Sequence, residues 1–177
     1  GGSLENRSRL LFDVVGAIRA RCRPGFIVGV RLSPERFGLE LMEIREVAQR
    51  LMSDGAIDLL DMSLWDVRKE PQDERFRGRS LLSYFTELDR GRVRLRAAGR
   101  IMGGRDAAHC LEAGADIAVI GRGAILHHDF PERVRANPQF ESVRTPVSQA
   151  YLRSEGLGPA FVAYMGNWKG FVEGSAA

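Results

Sequence analysis

Long apolar runs are missing from this chain of 177 residues. None approaches the ~20 residues that a membrane-crossing helix needs, so no membrane partner is expected. Cysteine is nearly missing too. Cys22 and Cys110 are the only two, far apart and without ligand spacing, which argues against a disulfide framework and for a reducing compartment. The opening segment GGSLENRSRL has charges where a leader peptide would have its apolar stretch, so no leader is expected and the cytoplasm is the default location. Charge of one sign is also lacking. Lys and Arg number 26 against 23 Asp and Glu, a net +3, with both signs interspersed, so no nucleic-acid partner is expected. The arginine-rich run from Arg90 to Arg100 alternates with apolar residues and reads as a solvated strand flank. Histidine occurs three times. His127 and His128 are adjacent and cannot share a helix face, the spacing of a histidine metal pair is absent, and His109 reads as a surface residue, so no metal site is expected. A nucleophile elbow, a Walker loop and a dinucleotide fingerprint are all absent.

What is present is alternation. Four short apolar runs bounded by glycine or proline read as buried parallel strands: Ile27–Arg31, Ile57–Ser63, Val93–Ala98 and Asp116–Ile120. Helical stripes lie between them. Leu10, Leu11, Val14, Val15 and Ile18 follow a capping Ser3 and predict one buried face. Leu41, Ile44, Val47 and Leu51 form a second stripe, and Leu81, Leu82, Phe85 and Leu88 a third. Ala107, Ala108 and Leu111 mark a fourth, ended by Gly114. The pattern predicts an α/β fold with a parallel sheet and right-handed crossovers. Beyond Arg122, a helical stretch over 124–134 with a new turn at Pro131 precedes a polar loop over 137–146. Two helical pieces follow, broken at Gly156-Leu-Gly-Pro159. Tyr151, Phe161, Tyr164, Trp168 and Phe171 are expected to pack this tail onto the domain. No internal repeat or low-complexity segment is present.

In parallel α/β folds ligands sit beyond the carboxyl ends of the strands. Arg31 ends the first strand, where an arginine either binds an anion or an electron-rich ring edge, or pairs with a carboxylate such as Asp61. Asp61 and Ser63 share one face of the second strand. Gly99 directly follows the third strand, and Gly121-Arg122-Gly123 follows the fourth. Glycine there lets backbone N–H groups approach a phosphate, to which a following helix would add its dipole; singly, each glycine is also simply a tight turn. Trp65 and the 66–79 loop read either as a pocket wall or as surface.

Three segments carry a family resemblance. Gly1-Gly-Ser-Leu-Glu-Asn-Arg7 with its apolar helix, Val28-Gly-Val-Arg-Leu-Ser-Pro34, and the pair Ala98-Gly-Arg-Ile101 and Ala118-Val-Ile-Gly-Arg122 resemble, in order, the second half of the Old Yellow Enzyme family of NADH:flavin oxidoreductases. The resemblance implies a (β/α)8 TIM barrel of which this chain supplies the last four strands and their helices. Residues 1–135 would be the C-terminal barrel half and 136–177 a loop and helical tail. It implies FMN as cofactor and NAD(P)H as reductant, with hydride passing to an activated alkene or other acceptor. Arg31 would bind the flavin near its N1/C2 carbonyl edge, Gly99 would offer backbone to the phosphate, and Gly121 and Arg122 would complete the phosphate grip. The family's carbonyl-binding His/His or His/Asn pair, and usually its tyrosine proton donor, belong to the first four strands. Neither Tyr84 nor Tyr151 occupies a matching position, so no catalytic residue is assigned.

A full barrel needs ~250 residues, and half of one leaves open strand edges. The missing N-terminal half, or a second copy in a homo-oligomer, is therefore the expected partner beside a small-molecule substrate, and the chain alone is expected to be inactive. The competing reading is a non-catalytic half-barrel that serves binding or assembly. A barrel isomerase or aldolase is disfavoured, because Lys69 sits in a polar loop and no lysine ends a strand.

Overall fold

The computed structural model describes residues 1–174, so 175–177 of the expected tail lie outside the described residues. Two compact units are present: Gly1–Gly99 with His109–Val119, and Arg100–Ala108 with Ile120–Ala177. Among the described residues no helix is long and apolar enough to cross a membrane.

The first unit is built on four parallel strands, β1 (Gly29–Leu32), β2 (Leu59–Ser63), β3 (Arg94–Ala98) and β4 (Ile117–Val119), in the spatial order β1-β2-β3-β4. β2, β3 and β4 lie within the runs expected from sequence, and β1 starts two residues later than its expected run and ends one residue beyond it. Strands laid down in sequence order with crossovers of one hand put every connection on the same face, which is the arrangement of a barrel rather than of a doubly wound sheet. Burial agrees with that layout. Leu60, Met62, Leu95 and Ala97 are fully buried. On the alternate face, Arg31 of β1, Asp61 of β2 and Arg96 of β3 stand side by side in register.

The helices follow their stripes unevenly. α2 (Leu41–Ser53) buries Leu41, Ile44, Val47 and Leu51 as expected. Leu81, Leu82, Phe85 and Leu88 are buried too, although α3 is regular only over Ser83–Thr86. α1 (Leu4–Arg21) is capped by the Ser3 hydroxyl, which accepts the Asn6 N–H at 3.3 Å. Its expected buried stripe is corrected, because Leu10 is 73% and Val14 46% exposed. The line Ser8–Val15 is the one that is buried. Leu10, Val14 and Ile18 run along the adjacent line of the helix surface, four residues apart, and miss the packed face. In α4 (Gly104–Glu112) the same shift buries Cys110 and exposes Leu111. Gly114, at φ +100°, closes that helix: its N–H reaches Leu111 O, and the Ala115 N–H reaches Cys110 O.

Two aspartates staple the amino end of the sheet. Asp58, just before β2, accepts the Val28 N–H at 2.9 Å and the Arg19 guanidinium at 2.6 Å. Asp116, just before β4, accepts the Leu95 N–H at 2.8 Å and pairs with Arg90 and Arg94 at 2.9 and 3.0 Å. Each carboxylate thus ties its own strand to the neighbouring one.

The second unit holds α5 (Arg122–Leu126), α6 (Phe130–Ala136), α7 (Gln149–Ser154) and α8 (Pro159–Met165). Leu126, Val147, Leu152, Val162, Met165, Phe171 and Val172 form its apolar cluster. The tail aromatics divide. Phe171 is buried and Tyr151 half-buried, whereas Phe161, Tyr164 and Trp168 are exposed, which corrects the expectation that all five pack inward. α8 buries Val162 and Met165 and leaves Phe161 and Tyr164 exposed; with Trp168 just beyond the helix they form a ladder with ring centroids 5.8 and 6.2 Å apart.

Candidate functional site

The strand ends of the first unit hold Arg31 and Gly99, on β1 and just past β3. β2 lies between them, so their backbones are separated by about 10 Å of sheet. Arg31 donates to the Ser63 hydroxyl at 2.8 Å, and its guanidinium has no carboxylate partner among the described residues. Of the two readings open for Arg31, pairing with Asp61 is not what occurs. Asp61 Oδ1 and Arg96 Nε are instead buried without a hydrogen-bond partner, which leaves polar capacity on the alternate face of the sheet. Gly99 is glycine for a local reason: a Cβ there would lie 2.8 Å from Asp66 N and 2.9 Å from Trp65 C. The segment after β2 is laced to the end of β3 by Leu64 N–H to Ala98 O at 2.8 Å and Val67 N–H to Gly99 O at 3.1 Å.

In the loops after β1 and β2, Trp65 lines a cavity, one of the two readings open for it, while Glu35, Arg36 and Phe37 beside it were missed by sequence reasoning. Glu35, 6% exposed, accepts from Lys69 Nζ at 2.5 Å and from Gln72 N–H at 2.9 Å. This buried pair clamps one loop to the other. Arg36, Phe37 and Trp65 adopt φ of 91°, 54° and 69°, a region that non-glycine residues hold at a cost on the order of 1–3 kcal/mol each and that clusters at ligand sites. The Arg36 guanidinium lies 4.0 Å from the Trp65 ring centroid. Phe37 and Trp65 are 88% and 63% exposed. A cavity of about 170 Å³ lies among these residues. No sequence signal announces it, because left-handed backbone is read from glycine and here the neighbouring Gly38 is one of four such positions.

In the second unit, Gly121 has φ −103° and ψ −93°, with open space where a Cβ would be. Arg122 is half-buried and makes no ion pair or side-chain hydrogen bond among the described residues. α5 is a five-residue helix, so an anion here would depend on backbone N–H groups and the guanidinium more than on a helix dipole. His127, Asp129 and Glu155 bring ligand-type atoms within 4.8 Å of one another, but those atoms are engaged. His127 Nε2 accepts the Val143 N–H at 3.1 Å. Tyr151 Oη donates to Leu126 O at 2.8 Å, so its 3.2 Å contact with His127 Nδ1 assigns the ring proton to Nδ1. Asp129 accepts from Arg133 at 2.6 Å, and Glu155 from His128 at 2.8 Å. Each of the three residues thus has its own hydrogen-bond partners. Burial, then the nearby Arg133, hold His127 below the ordinary histidine value. The hydrogen bond to Glu155 raises His128.

Arg31 in the first unit and Arg122 in the second are thus each a guanidinium without a carboxylate partner among the described residues, and a guanidinium so placed can pair with an anion.

No protein-family model matches the chain. Over 152 residues it is 28% identical to the probable NADH-dependent flavin oxidoreductase YqiG of Bacillus subtilis, covering 81% of this chain and 41% of that protein. Over 74 residues it is 40% identical to the probable N-methylproline demethylase of Rhizobium meliloti, covering 40% of this chain and 11% of that protein. Among solved structures, morphinone reductase matches with a TM-score of 0.58 and 27% identity over 86% of this chain and 39% of that one. Its complex with tetrahydroNAD matches with a TM-score of 0.57 and 28% identity over 80% and 37%. The parallel α/β sheet is thus that of part of a TIM barrel. The chain spans about two fifths of the length of the B. subtilis protein and of morphinone reductase.

Proposed function

Homologues of this chain are flavin oxidoreductases of the Old Yellow Enzyme family, and from that premise we propose that it is the flavin-phosphate-binding part of an FMN-dependent NAD(P)H oxidoreductase. Residues 1–135 would form the C-terminal half of the barrel and 136–177 its tail. Bound FMN would supply hydride chemistry, taking a hydride from NAD(P)H for delivery to an activated alkene or another acceptor.

This chain's residues would bind and orient the cofactor. Arg31 would supply positive charge to the N1/C2 carbonyl edge of the flavin, where negative charge develops on reduction. Its hydrogen bond to Ser63 fixes the guanidinium's direction. Gly99 would offer backbone to the phosphate, and the Gly121 N–H and the Arg122 guanidinium would be phosphate donors. The carrying observation is the Arg31 guanidinium at the end of β1, held by Ser63 and without a carboxylate partner among the described residues. The open edges of β1 and β4 would pair with the rest of the barrel or with a second copy, so the 177-residue chain alone is expected to turn over no substrate.

Co-expression with the part of the B. subtilis oxidoreductase that this chain does not match tests the reading. A yellow complex with a bound-flavin spectrum and NAD(P)H oxidation is the expected result. A colourless complex of the two pieces contradicts it, and turnover by this chain alone contradicts the need for a partner.

A further inference from the structure

The cavity at the ends of β1 and β2 is used by none of the flavin contacts. Its charge inventory is short. Glu35 is spent on Lys69 Nζ and the Gln72 N–H, and Lys69 on Glu35. What remains is Arg36, which has no ion pair among the described residues. Its guanidinium carbon lies 4.0 Å over the Trp65 ring and its N–H groups have no hydrogen bond or ion pair among the described residues, so they are available to grip a carboxylate with two parallel hydrogen bonds. Phe37 and Trp65 expose large ring surfaces beside it. The Glu35–Lys69 clamp holds the two loops that carry Phe37 and Trp65 together. A volume of about 170 Å³ is below the size of drug-sized pockets and suits one small ring with its substituent. Ser63, which lines the cavity, is hydrogen-bonded to Arg31.

We propose that this cavity binds a small planar molecule bearing a carboxylate, with Arg36 as the anion anchor and Phe37 and Trp65 as apolar walls. That this molecule is the hydride acceptor rests on the oxidoreductase reading; that it binds does not.

Benzoate, benzamide and inorganic phosphate are the probes, titrated into the chain without flavin and read by tryptophan fluorescence. Trp168→Phe leaves Trp65 as the sole indole. Benzoate is expected to quench saturably with a Kd about tenfold or more below that of benzamide, the factor that a charge-assisted hydrogen bond supplies. Arg36→Gln should bring benzoate to the level of benzamide and leave benzamide unchanged. Phe37→Ala should weaken both equally and preserve their ratio. Equal binding of benzoate and benzamide, no saturable quench by either, or an unchanged ratio in Arg36→Gln overturns the proposal. Phosphate that binds as tightly as benzoate overturns the planar-ligand assignment. Because no flavin is present, a failure of FMN to bind leaves this result untouched.

Discussion

The two ends of the sheet are built on opposite principles. At the amino end, Asp58 and Asp116 are saturated carboxylates, each taking one backbone N–H from the preceding strand and at least one arginine. At the carboxyl end, Arg31 and Arg36 are guanidiniums with no carboxylate among the described residues, and the one buried acid, Glu35, is consumed by Lys69. The amino end spends its charges on joining strands, while the carboxyl end keeps two in reserve. That is the division of labour by which a parallel barrel fold holds its shape at one face and meets ligands at the other.

Substitutions at the two ends break or sharpen this contrast. The largest effect is expected from Gly99→Ala, a carboxyl-end change that acts through structure. Its Cβ would meet the Trp65–Asp66 backbone below 3.0 Å, and backbone cannot rotate away. Denaturant unfolding should show a loss of about 3 kcal/mol, at the upper range for overpacking. Asp116→Ala should cost about 2 kcal/mol, because the Leu95 N–H loses its partner and two arginines lose their carboxylate, tempered by partial exposure. Burial pushes the Asp116 carboxyl up, but the Leu95 N–H with Arg94 and Arg90 outweighs it. For Asp58, the Val28 N–H and then Arg19 lower the value. Both carboxyls therefore sit below their ordinary 3.8 in the folded state. Their contribution is present above that pH and lost as pH falls through the lowered folded values, so the wild type should approach Asp116→Ala in stability under acid. Arg31→Ala is expected to leave the unfolding midpoint unchanged. A large loss there would erase the contrast between the ends.

The smallest effect concerns the adjacent histidines of the second unit. Proton-detected titration should place His128 above and His127 below their shared ordinary value of 6.5. Protonated His128 favours the folded state below pH 6.5, and that contribution is lost as pH rises through its raised folded value. His127 works the other way: its contribution is present above 6.5 and is lost as pH falls. The reverse order of titration would contradict the hydrogen-bond network around Tyr151.

Much of this layout is legible in the residues. The four strands are short, apolar and punctuated by glycine or proline, and Gly114 ends its helix where the pattern says. The break between α5 and α6 falls just before Pro131, and that between α7 and α8 falls on Gly156-Leu-Gly-Pro159. Periodicity alone says that a stripe exists and not which line of it is packed, so Leu10 and Leu111 are exposed while Ser8 and Cys110 are buried. Asp58 and Asp116 were findable, since each is an aspartate directly preceding an apolar strand. Trp65 was open as a pocket wall, but its arrangement with Arg36 and Phe37 was not findable. It depends on left-handed backbone at residues that rarely adopt it and on a cation–ring contact across 29 positions of sequence, neither of which leaves a pattern.

The central claim, that this chain holds a flavin by its phosphate, is tested most directly by comparing FMN with riboflavin, which lacks the phosphate. Binding by the complemented barrel should favour FMN by about tenfold or more, and Arg122→Ala should remove most of that preference while leaving riboflavin affinity unchanged. Equal affinity for FMN and riboflavin, or a preference that survives Arg122→Ala intact, would contradict the account.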